Sequence, residues 1–442
     1  MTSFDPLFPD FEPYSSYNDY TDNVPIEPIE IPSMPNRAAC EAATKSRAIV
    51  EESLSLDGPP DTYVTVDGRT YLYFAGSGYF GLQSHPEVLT ATCEATLRYG
   101  LGTATSRSSF TSPPVFEVER RGAAIFGVER SFYTSSGYMA NQILVDALTG
   151  SFDRVFIDEA SHYSLFDAAR GFRELRLRPV LFQHRNVDDL HKKLDENLQW
   201  NQRPLVLTDG LFSALGTLAP IDKYVELLSQ YEGSSLLIDD AHGLGVLGKN
   251  GLGTLEHFGF TPSIVNRTSQ DEGNDLSYAQ IETPSVALYS SFTMSKAVGG
   301  YGGMLPGSER FIEHLTERSK IFIGASAPPN PVAAATAKGL AVLFDDDVLR
   351  SSLRQNSRLL KHGLTSIGLS AGEQSIPIAT LTIGSSGNMR RIQNELSRRS
   401  ILVSYMPRNP GIGSEGAIRI AVFATHTPEM ITTLIDALKE IL

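Results

Sequence analysis

The sequence predicts an α/β fold with a largely parallel sheet, followed by a smaller α+β C-terminal domain. Two observations carry this expectation. Short apolar runs (RSFYTSS, RVFIDEA, PLVLTDG, SLLIDDA and SVALYSS) alternate with helical stretches such as HPEVLTATCEATLRYG, and that rhythm builds βαβ units. After Pro328-Pro329 helical periodicity resumes and is followed by IPIATLTI, ILVSYMP and AIRIAVFA, which suits a separate, smaller layer.

The chain of 442 residues is long enough for a large domain and one or two small ones. At 41% hydrophobic and 20% charged it lies within the ordinary globular range. Residues 1–38 differ: up to residue 36 they hold seven prolines and seven carboxylates, among them Asp5, Glu12 and Glu30, and no Lys or Arg. That composition predicts a disordered leader. Residues 39–90 form an N-terminal segment in which YVTVDGRTYLYF alternates around Asp67-Gly68, the signature of a β-hairpin with a primed turn. Residues 91–325 are expected to form the large domain and 326–442 the small one. The polar stretch from Asn266 to Thr283 interrupts the strand-helix rhythm and reads as a surface insertion.

A net charge of −14, without any Lys/Arg-rich stripe, argues against a nucleic-acid partner. Cys40 and Cys93 are too few and too far apart for a disulfide framework or a zinc site, so a reduced, cytoplasmic setting is expected and no metal is called for. No basic start with an apolar run marks a secretory signal, and no window approaches the roughly 18 apolar residues of a membrane span.

The chemistry is concentrated where the strand-like runs stop. Asp158–His162 follows VFI, Asp209–Ser213 follows LVLT, Asp239–His242 follows LLI, and Ser290–Lys296 follows VALY. Ligands of open α/β sheets bind beyond the carboxyl ends of the strands, so these clusters point to one shared site. Lys296, in SSFTMSKAVGG, has the hydroxyls of Thr293 and Ser295 close by. Hydroxyls suit a phosphate and a desolvated lysine forms imines, a combination that fits a phosphate-bearing aldehyde. Asp239 and His242 have the D-x-x-H spacing that projects both from one strand end, as pyridoxal phosphate requires. A carboxylate keeps its pyridine nitrogen protonated and an imidazole bonds its 3-oxygen. A capping Asp and a core His would produce the same spacing. Asp240 is expected to point away. Gly243, Gly245 and Gly248 spell G-x-G-x-x-G, but Asp239, Asp240 and His242 crowd the approach that a dinucleotide pyrophosphate needs. His162 can stack on a cofactor ring and shuttle a proton. Ser136, Gly137 and Tyr138 open a helix whose N–H groups suit a phosphate. Ser213 is a candidate hydrogen-bond partner of the ring, though a turn serine would look the same.

Taken together, SGYMAN, DEASHYS, TDGLFSALG, DDAHGLGVLG and TMSKAVGG occur in an order and spacing that resembles the α-oxoamine synthase family, from about Tyr63 to the C-terminus. The resemblance implies a fold-type I pyridoxal 5'-phosphate enzyme. It is expected to be a homodimer with its active site at the subunit interface, and to catalyse decarboxylative condensation of a small amino acid (glycine, alanine or serine) with an acyl thioester of coenzyme A or a carrier protein. It implies Lys296 as the Schiff-base lysine, Asp239 as the pyridinium partner and His242 as the 3-oxygen ligand. By the same resemblance His162 is the ring-stacking residue, with Lys296 and His162 handling protons. Gly137 and Tyr138 form the phosphate-side turn, to which Ser136 can add its hydroxyl, and Ser213 and Thr293 make further cofactor contacts. Arg419 would clamp the substrate carboxylate. Three stretches depart from the pattern: Ser77 stands where an asparagine is usual, Ala325 where a hydroxyl is usual, and GLGTATSR lacks a following histidine before PPVFEVER. Other chemistry of the same cofactor, transamination or retro-aldol cleavage, would use the same electron sink. A cofactor-binding scaffold subunit would not need Lys296.

Overall fold

The computed structural model describes residues 54–170, 178–261, 264–267 and 285–442. The acidic leader and all but Asn266 and Arg267 of the expected insertion lie outside the described residues. Residues Ser55–Leu442 form one compact unit.

The unit begins with the expected hairpin, β1 (Tyr63–Val66) and β2 (Arg69–Tyr73), paired antiparallel. Asp67 and Gly68 both have positive φ, at 50° and 71°, the backbone a type I′ turn demands and the reason a short polar residue precedes a glycine there. Helices α1 (Pro86–Tyr99) and α2 (Pro113–Phe126) each start on a proline and end at a glycine. Then come β3 (Arg130–Thr134), α3 (Gly137–Ala147), β4 (Arg154–Asp158), α4 (Tyr163–Arg170), β5 (Val180–Phe182), α5 (Val187–Asn197) and β6 (Pro204–Asp209). A small ribbon, β7 (Leu211–Phe212) and β8 (Thr217–Leu218), precedes α6 (Ile221–Leu228), β9 (Ser235–Asp239), α7 (Thr254–His257), β10 (Ala287–Thr293) and β11 (Gly303–Gly307). The chain continues through α8 (Glu309–Arg318), α9 (Lys320–Gly324), α10 (Asn330–Phe344) and α11 (Val348–Ser366). It ends with β12 (Ile378–Leu381), α12 (Ser386–Arg398), β13 (Ile401–Leu402), β14 (Ser404–Met406), β15 (Ala417–Ala421) and α13 (Pro428–Ile441).

The main sheet has the order β3-β11-β10-β9-β6-β4-β5. Its pairs from β10 to β5 are parallel, and β11 runs antiparallel to both its neighbours. Strands β6 and β9 are buried throughout (PLVLTD, SLLID), as sheet covered on both faces requires. One core lies between Phe132, Leu144, Ile157, Leu207 and Leu237, another among Phe156, Val206, Tyr224 and Ile238. Burying each large apolar side chain stabilises the fold by about 1.5–3 kcal/mol. The C-terminal strands form the sheet β12-β15-β14, packed with α11, α12 and α13 around Leu360, Ile392, Ile420 and Leu434. β13 instead joins β2, tying the C-terminal part to the N-terminal hairpin.

Register aligns the site. Ser291 pairs with Asp239 and Asp239 with Asp209 across β10, β9 and β6, so the polar ends of these strands come side by side.

Candidate active site

Asp239 ends β9 and is buried. Its Oδ2 accepts hydrogen bonds from Asn141 Nδ2 at 2.6 Å and Ser164 Oγ at 3.3 Å, and its Oδ1 from the backbone N–H of Ala241 at 3.1 Å. Asn141 is itself held on α3: its amide also donates to Ser164 Oγ at 2.9 Å, and its carbonyl accepts from Ser291 Oγ. A buried carboxylate costs too much without such donors, and here they fix its orientation as well.

His242, in the turn after β9, is buried with both ring nitrogens engaged: Nδ1 lies 2.7 Å from the Tyr79 hydroxyl and Nε2 lies 2.6 Å from Lys296 Nζ. Burial, reinforced by the Lys296 and Arg419 charges, holds its pKa well below the ordinary value, so the ring is neutral. Lys296 follows β10. The residue as a whole is partly exposed, but its amine nitrogen lies among protein groups. Desolvation brings its pKa down to about 8 against the attraction of Asp239 and Asp209, with Arg419 adding repulsion. A lysine so placed has a far larger neutral fraction near physiological pH than an ordinary lysine, as an imine-forming amine needs.

His162 stays exposed just ahead of α4. Its Nδ1 lies 2.7 Å from Ser164 Oγ, its N–H donates to Asp209 Oδ1 at 2.9 Å, and its ring meets Tyr138 edge-on at 5.9 Å. Its pKa is lowered, by desolvation first and by Lys296, with Asp239 pulling the other way. Asp209 is buried and its carboxyl is pushed well above the usual range, by desolvation first and then by Asp239.

Ser136 caps α3, its Oγ accepting from the Tyr138 N–H at 3.1 Å. Gly137 is packed so close to the end of β10 that a Cβ would lie 2.5 Å from Thr293 Oγ1 and 2.7 Å from Thr293 Cβ. Only glycine lets the first turn of α3 approach that hydroxyl, and the result is a cradle of helix N–H groups and a threonine hydroxyl suited to a phosphate. Thr293 Oγ1 also donates to the Gly302 carbonyl at 3.2 Å. Tyr138 is exposed and its hydroxyl bonds Asp167.

Arg419, on β15, is buried and donates through every branch of its guanidinium: Nε to the Ser213 carbonyl at 2.9 Å, Nη1 to the Gly76 carbonyl at 2.7 Å and Nη2 to Ser77 Oγ at 3.3 Å. Ser213 therefore meets Arg419 through its backbone, and its side chain is partly buried. Asp240 turns away, as expected, accepting from Thr254 N–H and Oγ1 at 2.6 and 2.5 Å.

The structure thus gathers Lys296, His242, Asp239, His162 and the Ser136–Tyr138 turn with Thr293, and places Arg419, Ser77 and Ser213 together near Tyr79. Asn141, Ser164 and Tyr79 were not singled out from the sequence. The signal available for Asn141 was a polar residue on the buried face of an apolar helix. These residues fit pyridoxal phosphate: a neutral imidazole, a fixed buried carboxylate, an amine with lowered pKa and an anion cradle that a Cβ would fill. Among the described residues no cluster of His, Cys, Asp and Glu could hold a metal ion, and no helix is long and apolar enough to cross a membrane.

The family model of class I and II aminotransferases matches residues 72–438. The chain is 33% identical to an 8-amino-7-oxononanoate synthase of Methylococcus capsulatus, covering 91% of this chain and 97% of the relative. It is 32% identical to that of Cellvibrio japonicus, covering 88% and 90%. Among solved structures it is similar to Sphingomonas wittichii serine palmitoyltransferase, with a TM-score of 0.75, 25% identity and coverage of 91% and 95%. The chain belongs to the class I and II aminotransferase family and, within it, to the α-oxoamine synthases, pyridoxal-phosphate enzymes that join an amino acid to an acyl thioester with loss of carbon dioxide.

Proposed function

We propose that this enzyme condenses a small amino acid, glycine, alanine or serine, with an acyl thioester, working as a cytoplasmic homodimer. The observation that carries the reading is Lys296 Nζ at 2.6 Å from Nε2 of the buried His242, in the field of Asp239, Asp209 and the Arg419 guanidinium.

When bound, pyridoxal phosphate supplies an electron sink to the carbon beside its imine. Asp239, held by Asn141 and Ser164, would face the ring nitrogen and keep its proton in place. His242 would meet the ring's oxygen, and the exposed ring of His162 would lie against the cofactor's face. Ser136, Gly137, Tyr138 and Thr293 would hold the phosphate, with Ser213 near the ring. Lys296 takes up and returns a proton at Nζ, and the lowered pKa of His162 keeps its imidazole in the neutral form that can accept one. Arg419 binds the amino acid's carboxylate in a bidentate fork, with Ser77 beside it. In this arrangement residues 91–325 carry the cofactor and residues 326–442 contribute the carboxylate clamp. Transamination and retro-aldol cleavage share the same sink and are the competing outcomes.

A homodimer is supported by apolar side chains left in water. Leu97, Leu101 and Phe110 are 89%, 74% and 70% exposed, with Phe116 and Ile323 more than half exposed. The segments that carry Leu101, Phe110 and Ile323 are joined by backbone hydrogen bonds, Asn330 N–H to the Leu101 carbonyl and Arg107 N–H to the Ala325 carbonyl. Apolar surface gathered in this way favours burial against a partner.

The test combines purified protein, pyridoxal phosphate, each of the three amino acids and a panel of acyl thioesters on coenzyme A or a carrier protein. Free thiol and carbon dioxide are followed together, and the oligomeric state is read by light scattering. Equal release of both products by a dimer is expected. Turnover without a thioester, or thiol release without carbon dioxide, would overturn the reading.

A further inference from the structure

Tyr79 lies in the core with no exposed surface, yet its hydroxyl reaches into the site. It is 2.7 Å from His242 Nδ1, and the other nitrogen of that ring is 2.6 Å from Lys296 Nζ. On its far side lie Ser77 and Arg419, whose proximity moderates the rise in its pKa caused by burial. Arg419 in turn donates to Ser77 Oγ at 3.3 Å. Close polar contacts therefore run from Tyr79 through His242 to Lys296, with Ser77 and the Arg419 guanidinium beyond the phenol. We propose that Tyr79 is a positioning residue that sets the tautomer of His242 and, through it, the proton affinity of Lys296. This rests on the reading of Lys296 as the cofactor lysine.

Donor and acceptor capacity links the three groups. A neutral imidazole has one of each, an ammonium only donates, and a phenol does both. When Lys296 is protonated it donates to Nε2, so the imidazole proton sits on Nδ1 and points at the Tyr79 oxygen. When Lys296 is neutral its lone pair can accept: Nε2–H then donates to Nζ and Tyr79 donates to Nδ1. In both directions the Tyr79 hydroxyl pairs Nδ1, which a residue without a hydroxyl at position 79 could not do. The other charged and titratable groups facing Lys296 are Asp239 at the end of β9, Asp209 at the end of β6, Arg419 on β15 and His162 ahead of α4. Asp239, Asp209 and His162 are untouched by changing Tyr79, and Arg419 keeps its bonds to the Ser213 and Gly76 carbonyls and to Ser77, so a shift that appears together with a changed His242 tautomer reports the relay.

Tyr79→Phe keeps the ring in its core position and removes only the hydroxyl. Nδ1 then lacks a partner in either state, but the protonated state of Lys296 requires a buried N–H without an acceptor, which costs more than an unpaired lone pair, so the pKa of Lys296 is expected to fall by up to about one unit. Two readouts on the cofactor-free protein test this. The first is the pH at which Lys296 becomes reactive towards a trace amine-acylating reagent, quantified by mass spectrometry. The second is the nitrogen-15 spectrum of the His242 ring across the same range, which in the unaltered protein should pass from the Nδ1–H to the Nε2–H form. Ser77→Ala, which leaves the Tyr79–His242 bond intact, should shift Lys296 less than Tyr79→Phe does. Melting curves confirm that each variant is folded. An unchanged Lys296 midpoint and an unchanged His242 spectrum in folded Tyr79→Phe would overturn the proposal. If pyridoxal phosphate gave Lys296→Ala the same absorption spectrum as the unaltered protein, the reading of Lys296 would fail instead, so the two failures are distinguishable.

Discussion

Adding one methyl group at Gly137 probes the closest packing in the site. In Gly137→Ala the new Cβ would lie 2.5 Å from Thr293 Oγ1, 2.7 Å from Thr293 Cβ and 3.3 Å from Thr293 Cα. The first of these is about 1 Å or more short of an ordinary contact. Thr293 ends β10, an interior strand paired on both sides, so it has little freedom to yield. The first turn of α3 must move instead. Overpacking of this kind costs about 1–3 kcal/mol, and the movement pulls the Ser136–Tyr138 turn away from the threonine hydroxyl. If half of that cost falls on cofactor binding, affinity drops about two- to tenfold, at about 1.4 kcal/mol per factor of ten. The assay is equilibrium titration of the cofactor-free protein with pyridoxal phosphate, paired with titration of inorganic phosphate and with melting curves. Thr293→Gly in the same chain removes the two closest obstructing atoms and should let the helix return, though glycine in a strand interior costs stability of its own and the hydroxyl contact stays lost. Gly137→Ala with unchanged affinity and an unchanged melt would refute the cradle.

Asn141→Ala should release Asp239, removing its 2.6 Å donor and orphaning Ser291 Oγ. Lost bonds to a buried charge cost about 1.5–3 kcal/mol, to be read as weaker cofactor binding and a lower melting temperature, and a neutral result would contradict the assigned role. Arg419→Ala should raise the amino-acid KM about 100-fold with a smaller change in kcat, and Arg419→Lys should recover only part, since an ammonium lacks the fork. A kcat defect alone would tell against a carboxylate clamp. The buried Lys361 donates to the carbonyls of Ala371 and Ile378 and has its pKa lowered to about 8, by desolvation first, with Glu373 opposing. Because the folded value lies below the unfolded 10.5, its contribution to stability is complete above pH 10.5 and is lost as pH falls through 8. Unfolding measurements at pH 8 and 9.5 should therefore show about 1–2 kcal/mol more stability from Lys361 at the higher pH, with Lys296 adding a similar rise in the cofactor-free protein, so Lys361→Met should remove about half of the slope.

Much of this was legible because strand ends carry their chemistry in contiguous runs. Asp239 and His242 share one strand end, Lys296 follows another, and the Asp67-Gly68 turn announces its hairpin. Asn141, Ser164 and Tyr79 were not legible. Each acts through a partner 75 to 163 residues away, and which partner it meets is set by sheet order and by the direction of a side chain from a buried helix or loop. The glycines at 243, 245 and 248 show the converse. They imitate a nucleotide fingerprint, but a Cβ on Gly243 would lie 1.8 Å from Asp240 Oδ1, so that glycine makes room for a buried carboxylate rather than a pyrophosphate. Arg419 was placed by resemblance alone, and its contact with the Ser213 carbonyl required the small C-terminal sheet to be seen.

The most direct test of the account is to reduce the protein loaded with pyridoxal phosphate with borohydride, digest it, and locate the phosphopyridoxyl group by mass spectrometry. Among the described residues two lysines have a pKa lowered to about 8, Lys296 among the site residues and Lys361 bonded to two carbonyls elsewhere. The account predicts the group on Lys296 and its loss in Lys296→Ala. Labelling of Lys361 or of surface lysines, with Lys296 unmodified, would contradict it.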